Sequence, residues 1–329
     1  MHEPAFWWRP RGPAARLLAP VAAVYGGIAA WRMAQAGHGA GIPVVCIGNL
    51  TVGGAGKTPT AIAVADLLRQ AGRQPFLLSR GYGGTLPGPL RVDASRHRAR
   101  EIGDEPLLLA RAAPTIVAAD RVAGAELARQ QGADVIVMDD GFQNPALSKN
   151  LSIVVVDGRR GIGNGAVLPA GPLRAPLAPQ LGRAHALLVI GPPAGAAAIA
   201  ATARHLPIFH GRLAPDPSAL AALQGRNVLA FAGIGDPQKF FTTLVEAGVA
   251  VAARQAIPDH HRYGAAEAAA LLARAAREGL TLVSTEKDVA RLAGEVELQA
   301  LAAQTRALPV ALVIEETAAF RDLVIGAAN

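Results

Sequence analysis

The chain has 329 residues, of which 51% are hydrophobic and 17% charged, enough for two domains or one large one, each with its own core. One cysteine, Cys46, excludes any internal disulfide and points to a reducing compartment. A net charge of +7 and a pI near 10.3 call for an acidic partner, either nucleic acid, anionic lipid or a phosphorylated substrate, but aromatics are only 4% and no basic stretch interleaves with them, so no nucleic-acid partner is expected.

Trp7, Trp8, Arg9 and Arg11 precede a weakly polar run, Leu17 to Trp31, bracketed by Arg16 and Arg32. A spanning helix needs roughly 20 apolar residues, and this run is shorter and carries Pro20 and two glycines. It is expected to lie in the membrane interface, tryptophans at headgroup depth and arginines on anionic lipid. The cationic start and apolar middle also imitate a signal peptide, but cleavage would strand the next segment at a new terminus in a compartment without ATP. An ordinary helix packed on the body is the alternative.

That next segment, Pro43 to Thr60, reads PVVCIGNLTVGGAGKTPT. An apolar strand (Val44 to Ile47, with Cys46 a small buried hydrophobe) empties into a glycine-dense turn, and a helix follows. Thr51, Val52, Gly53, Gly54, Ala55 and Gly56 would cradle phosphates with backbone N–H groups, Lys57 would sit on the β- and γ-phosphates, and the Thr58 hydroxyl on magnesium. A strict GxxxxGK[ST] would place glycine where Thr51 stands. Only four of the 32 basic residues are lysines, so a lysine in this loop stands out.

Phe76 to Leu78 leads into Ser79-Arg80-Gly81-Tyr82-Gly83-Gly84, which places Arg80 and Tyr82 at the ligand-binding edge of a parallel sheet. In Gly103-Asp104-Glu105-Pro106, Asp104 reads first as a helix N-cap whose second oxygen is open to a ligand. Thr115 to Ala118 delivers Asp120 and Arg121. Val135 to Met138 ends on Asp139-Asp140-Gly141-Phe142-Gln143, an acidic pair placed to hold magnesium beside the phosphates of a P-loop. After a strand at Ile153 to Val156, the tract Gly158 to Pro179 is too rich in breakers for regular structure and offers Arg174 as a phosphate contact.

Beyond it, Ala186 to Ile190 reads as a strand, Ala194 to Arg204 as a helix, and Val228 to Ala232 as a strand turning at Gly233-Ile-Gly-Asp-Pro237 into a helix. Asp259-His260-His261 suits a proton relay or substrate clamp better than a metal site, since adjacent histidines rarely share an ion. Leu280 to Ser284 is a strand ending in the charged Thr285-Glu286-Lys287-Asp288, and a last strand, Val310 to Ile314, and a helix close the chain.

In that order, GNLTVGGAGKTP, SRGYGG, GDEP, DDGFQ, LPAGPLR, AGIGDPQKFF, DHH and STEKD make the chain resemble, over nearly its whole length, the tetraacyldisaccharide 4'-kinases, the lipid A 4'-kinases of Gram-negative bacteria. The resemblance implies transfer of the γ-phosphate of ATP, with Mg²⁺, to the distal glucosamine of a membrane-bound lipid disaccharide at the cytoplasmic face of the inner membrane. It implies Asp104 as catalytic base with His260 as partner. Lys57 and Thr58 would hold triphosphate and metal, with Asp139 and Asp140 near the metal. Arg80, Tyr82, Glu105, Arg121, Gln143 and Arg174 would surround the phosphates and substrate. Two positions depart from the family pattern: Asn144 replaces the histidine of DDGFQH, and Ala175 replaces the glutamate of LREP.

The expected architecture is α/β: a mainly parallel P-loop NTPase-like sheet, a second, smaller α/β domain and an N-terminal interfacial helix. The boundaries are 1–40, 41–180 and 181–329, with the active cleft between the last two, in a monomer. A membrane-associated switch ATPase is the alternative function, although such proteins usually carry a second lysine early in the P-loop, where Val52 and Gly53 stand. A phosphate-binding module without catalysis leaves Asp104 and the DHH segment unexplained.

Overall fold

The computed structural model describes residues 3–329; Met1 and His2 of the N-terminal segment lie outside the described residues. The strands are β1 (Val44–Asn49), β2 (Pro75–Ser79), β3 (Leu90–Arg91), β4 (Thr115–Val117), β5 (Val135–Asp139), β6 (Leu151–Asp157), β7 (Ala186–Ile190), β8 (Ile208–Pro215), β9 (Asn227–Ala232), β10 (Ala250–Ala256), β11 (Thr281–Thr285), β12 (Thr305–Leu308) and β13 (Val310–Ile314). Nine form one sheet in the order β13-β8-β7-β6-β1-β5-β2-β4-β3, and four form a second in the order β10-β9-β11-β12. Every pairing is parallel except β13 with β8 and β3 with β4, at the two edges of the large sheet.

Strands β1, β2, β5, β6 and β7 are buried at every position, as expected of a parallel sheet covered on both faces. The two-residue period then splits each strand between two cores. Val44 and Cys46 face one cluster with Phe76, Met138 and Val154, while Val45 and Ile47 face another with Val137, Ile153 and helix residues Val64 and Leu68. Sheet order diverges on either side of β1, so the loops after β1, β2 and β5 leave from one carboxyl edge, where ligands of such folds bind.

The change of sheet does not fall at residue 180. β7 and β8 extend the large sheet, the small sheet occupies residues 227–308, and β13 returns to pair with β8. The smaller unit is thus inserted into the larger, because the apolar face of the last helix, Thr317–Ala328, completes the large unit's second core with Phe320 and Val324.

At the N-terminus, Pro20 and the two glycines do not interrupt a 22-residue helix, Pro13–Ala34, which is long and apolar enough to cross a membrane by length and composition alone. Leu17, Val21, Val24, Tyr25, Ile28 and Trp31 form an exposed apolar stripe along it. Trp7 and Arg11 are not free for lipid. Trp7 is buried and its indole N–H donates to the Pro169 carbonyl (3.0 Å), and Arg11 donates to the Asn164 and Gly165 carbonyls.

Candidate active site

The loop after β1 turns at Gly53 and Gly56, with φ of 98° and 93°, a left-handed region in which a side chain would be strained. Gly56 caps the helix Lys57–Gln70, so Lys57 is the first helical residue and Thr58 the second. The N-terminal N–H groups of this helix, with its dipole, have the geometry to receive an anion. Thr51 bridges to Leu173, and Val52 N–H donates to the Pro172 carbonyl, so the loop rests on the 168–174 tract. Gln143 directs both amide donors to the Asn49 carbonyl (2.7 Å) and the Gln180 side chain (2.9 Å), and so buttresses the base of the loop.

β5 carries the acidic pair to the same place. The Thr58 hydroxyl donates to Asp139 Oδ2 (3.1 Å), while buried Asp139 Oδ1 has no hydrogen-bond partner among the described residues. Burial, with Glu105 and Asp140 adding to it, pushes the Asp139 pKa up to about 7. Asp140 adopts φ 53°, a costly conformation for a non-glycine residue, and its carboxylate lies 3.8 Å from Lys57 Nζ and in a two-pronged pair with Arg174 (3.0 and 3.2 Å). An orphaned buried carboxylate oxygen beside a hydroxyl and a second carboxylate is a hard-oxygen donor set that fits Mg²⁺. Ala175 is fully buried in the core, so Asp139 and Asp140 are the carboxylates of this corner. Asn144 accepts from Ala146 N–H and shapes the turn after the pair.

Arg121 is 2% exposed; it donates to the Ala118 carbonyl, and its Nε has no partner among the described residues. Burial, with the neighbouring Arg80 guanidinium, lowers its pKa to about 10. Arg80 itself is exposed, and exposed Tyr82 sets its ring edge-on to His260, centroids 5.1 Å apart.

Asp104 is not the N-cap. Gly103, at φ 88°, takes that position because a Cβ there would lie 2.6 Å from the Tyr82 carbonyl, and Asp104 becomes the first residue of the helix Asp104–Ala112. Its Oδ1 accepts from Glu105 N–H (3.1 Å) and lies 3.7 Å from His260 Nδ1. Burial opposes ionisation, but His260, Lys287 and Arg291 outweigh it and hold the Asp104 pKa well below the usual carboxylate range. Conversely, the Asp104 carboxylate raises the His260 pKa against burial, with Asp259 and Glu105 assisting. His260, at φ 55°, is the other non-glycine residue with positive φ among the described residues. Glu105 accepts from Lys287 Nζ (2.8 Å) and acts on the charge state of Asp139 and Lys57, so the Asp104 corner and the P-loop corner share one electrostatic field.

The structure therefore brings together Lys57, Thr58, Asp139, Asp140 and Arg174 at one corner and Asp104, Glu105, Tyr82 and His260 at the other. Sequence reasoning missed Lys287 as the partner of Glu105, and Arg291 altogether. The one local signal was Thr285, three residues before Asp288 at a helix start, with Arg291 a further turn along the same face. The two units also meet through Lys239 with Asp157 and Asp236 with Arg159 and Arg160.

The profile of the family described as "Tetraacyldisaccharide-1-P 4'-kinase" matches residues 14–328. A "Tetraacyldisaccharide 4'-kinase" of Rhodopseudomonas palustris (strain BisA53) is 55% identical over 327 residues, covering 99% of this chain and 95% of that protein. One of Methylobacterium sp. (strain 4-46) is 61% identical over 295 residues, 89% of each. Among solved structures, the "apo" form of LpxK from Aquifex aeolicus in complex with ATP superposes with a TM-score of 0.74 at 26% identity, over 96% of this chain and 99% of that one. Sequence and fold agree end to end, and the chain belongs to the tetraacyldisaccharide-1-phosphate 4'-kinase family.

Proposed function

We propose that this protein transfers the γ-phosphate of ATP to the 4'-hydroxyl of a tetraacylated glucosamine disaccharide 1-phosphate, a step of lipid A biosynthesis, at the cytoplasmic face of the inner membrane. The observation that carries this is a buried carboxylate, Asp104, ion-paired with His260 beside a P-loop, in a chain whose relatives are named for that reaction. A switch ATPase has no use for a base aimed at an acceptor.

A sugar hydroxyl does not ionise near neutrality, so its proton must leave to a carboxylate as the bond to phosphorus forms. Asp104, ionised across the working pH range, takes that proton, and His260 stabilises the pair and orders Oδ1. Lys57 and the helix N-terminus behind it hold the β- and γ-phosphates. Arg174, with Arg121 and Arg80 nearby, supplies further positive charge where the transferring group passes. Thr58, Asp139 and Asp140 would hold Mg²⁺, which neutralises phosphate charge when bound. Tyr82 and Glu105 line the acceptor side, and Gln143 acts indirectly by holding Asn49. The 1–40 segment lies against the anionic membrane surface and brings the cleft to a lipid acceptor, and the protein works as a monomer.

The test is transfer of label from γ-labelled ATP to a tetraacylated disaccharide 1-phosphate in detergent micelles, with Mg²⁺ or with chelator. Mg²⁺-dependent label in the lipid is expected. ATP hydrolysis with no labelled lipid would overturn the kinase assignment in favour of the switch ATPase.

A further inference from the structure

Arg291 stands on the helix Glu286–Leu292 of the inserted unit, only 8% of its side chain exposed, and reaches across to Asp104 of the P-loop unit. Its Nε (2.9 Å) and Nη2 both donate to one oxygen, Asp104 Oδ2. That leaves Oδ1 to the Glu105 N–H and to His260. The third nitrogen, Nη1, donates to the Gly233 carbonyl and to Asp288 Oδ1 (3.0 Å). Asp288 is completely buried and is itself fixed by the Gly233 N–H (3.1 Å), the Tyr263 hydroxyl (2.8 Å) and the Thr285 hydroxyl (2.6 Å). A Cβ at Gly233 would come within 2.9 Å of Asp288 and 3.1 Å of Arg291, so the turn is closed onto this pair.

We propose that Arg291 is a positioning residue for phosphoryl transfer: anchored on Asp288 and Gly233, it locks Asp104 Oδ2 and thereby aims Oδ1 at His260 and the acceptor hydroxyl. This rests on the kinase reading above. A merely structural ion pair would accept any cation and any oxygen. Here the planar fork matters, because two N–H groups at a fixed angle converge on Oδ2 and pin that oxygen, so that the Glu105 N–H on Oδ1 completes the definition of the carboxylate plane; a lysine point charge does not hold Oδ2 in one direction. Misplacement of a reacting group by about 1 Å can cost on the order of 10²-fold in rate.

The experiment compares wild type, Arg291→Ala and Arg291→Lys in the same lipid-labelling assay, with ATP affinity and thermal unfolding measured on each. Arg291→Ala should lower kcat by roughly 10- to 100-fold, with KM for ATP within about twofold, and millimolar guanidinium should restore part of the loss. Arg291→Lys keeps the buried charge and the fold and should still lose about tenfold in kcat. Equal kcat for Arg291→Lys and wild type would overturn the proposal, as would a deficit confined to KM or to thermal stability. If wild type itself labels no lipid, the kinase reading fails, and this proposal with it; an active wild type beside an unaffected Arg291→Lys removes Arg291 alone.

Discussion

Replacing Leu17 and Ile28 of the N-terminal helix with serine probes how the protein reaches its lipid. The six exposed apolar side chains of the stripe, from Leu17 at 82% exposure to Tyr25 at 43%, follow helical spacing and lie on one side. Full burial of such a side chain is worth about 1.5–3 kcal/mol, so Leu17 and Ile28, at 82% and 56% exposure, together offer about 2–4 kcal/mol to an apolar phase. Their loss should weaken partitioning onto vesicles of zwitterionic and anionic phospholipid by roughly 30- to 700-fold, as about 1.4 kcal/mol is a factor of ten. Because both side chains already face outward, thermal unfolding in solution should shift little. Co-sedimentation at fixed salt reads the partitioning, and a change of less than threefold with an intact melt would refute apolar insertion and leave the arginines and their counter-ions as the source of attachment.

At the site, Asp104→Ala or Lys57→Ala should lower turnover by roughly 10²-fold or more, and near-normal labelling of lipid by either variant removes that residue from the mechanism. Asp139 binds its proton up to about pH 7 when folded but releases it near pH 4 when unfolded, so in chelator the protein loses stability as pH rises through that interval. Asp139→Asn removes the loss. It should unfold higher than wild type at pH 8, by roughly 3–6 °C, and no higher at pH 4, so a constant difference at both pH values contradicts the burial argument. Phe320→Ala empties a fully buried site packed edge-on to Phe209 and should cost about 3–5 kcal/mol; an unchanged melting temperature would mean that the last helix contributes nothing to the core.

The parallel strands were legible in the sequence because burial on both faces demands unbroken apolar runs, and a polar cluster at the end of most marks the ligand edge. β1, β2, β5, β6 and β7 all carry such runs, and β1, β2, β5 and β6 end in polar residues, whereas β7 runs into Gly191-Pro192-Pro193. β8 breaks the pattern: its outer half is partly exposed and holds Gly211 and Arg212, and as the strand next to the edge it shows no run to recognise. The two-residue β3 and the short β12 carry too few residues for any period. Lys57, Thr58 and Asp139 were legible because the strand-turn-helix that brings them together is local. Arg291 was not, for its meaning lies in a residue 187 positions earlier. Asp104 was misplaced by one helical position because the cap depends on how closely Gly103 passes the Tyr82 carbonyl, a contact no local pattern encodes. The domain boundary failed for the same reason, since β13 pairs with a strand about a hundred residues upstream.

The return of β13 and the last helix to the large sheet has a consequence for the order of events during synthesis. Lys57–Gln70 is translated early, yet the apolar face formed by Ala61, Val64 and Leu68 shares its core with Phe320, Val324 and Ala328 of the closing dozen residues. A chain that stops before Phe320 leaves that face of the nucleotide-binding helix open. The cores of the smaller unit, whose sheet is continuous in sequence from β9 to β12, draw on no residue after Leu308, while the core beneath the nucleotide-binding helix waits for the final turns. Truncated chains that lack residues 317–328 should therefore be cleared as unfolded protein rather than persist as idle ATPases.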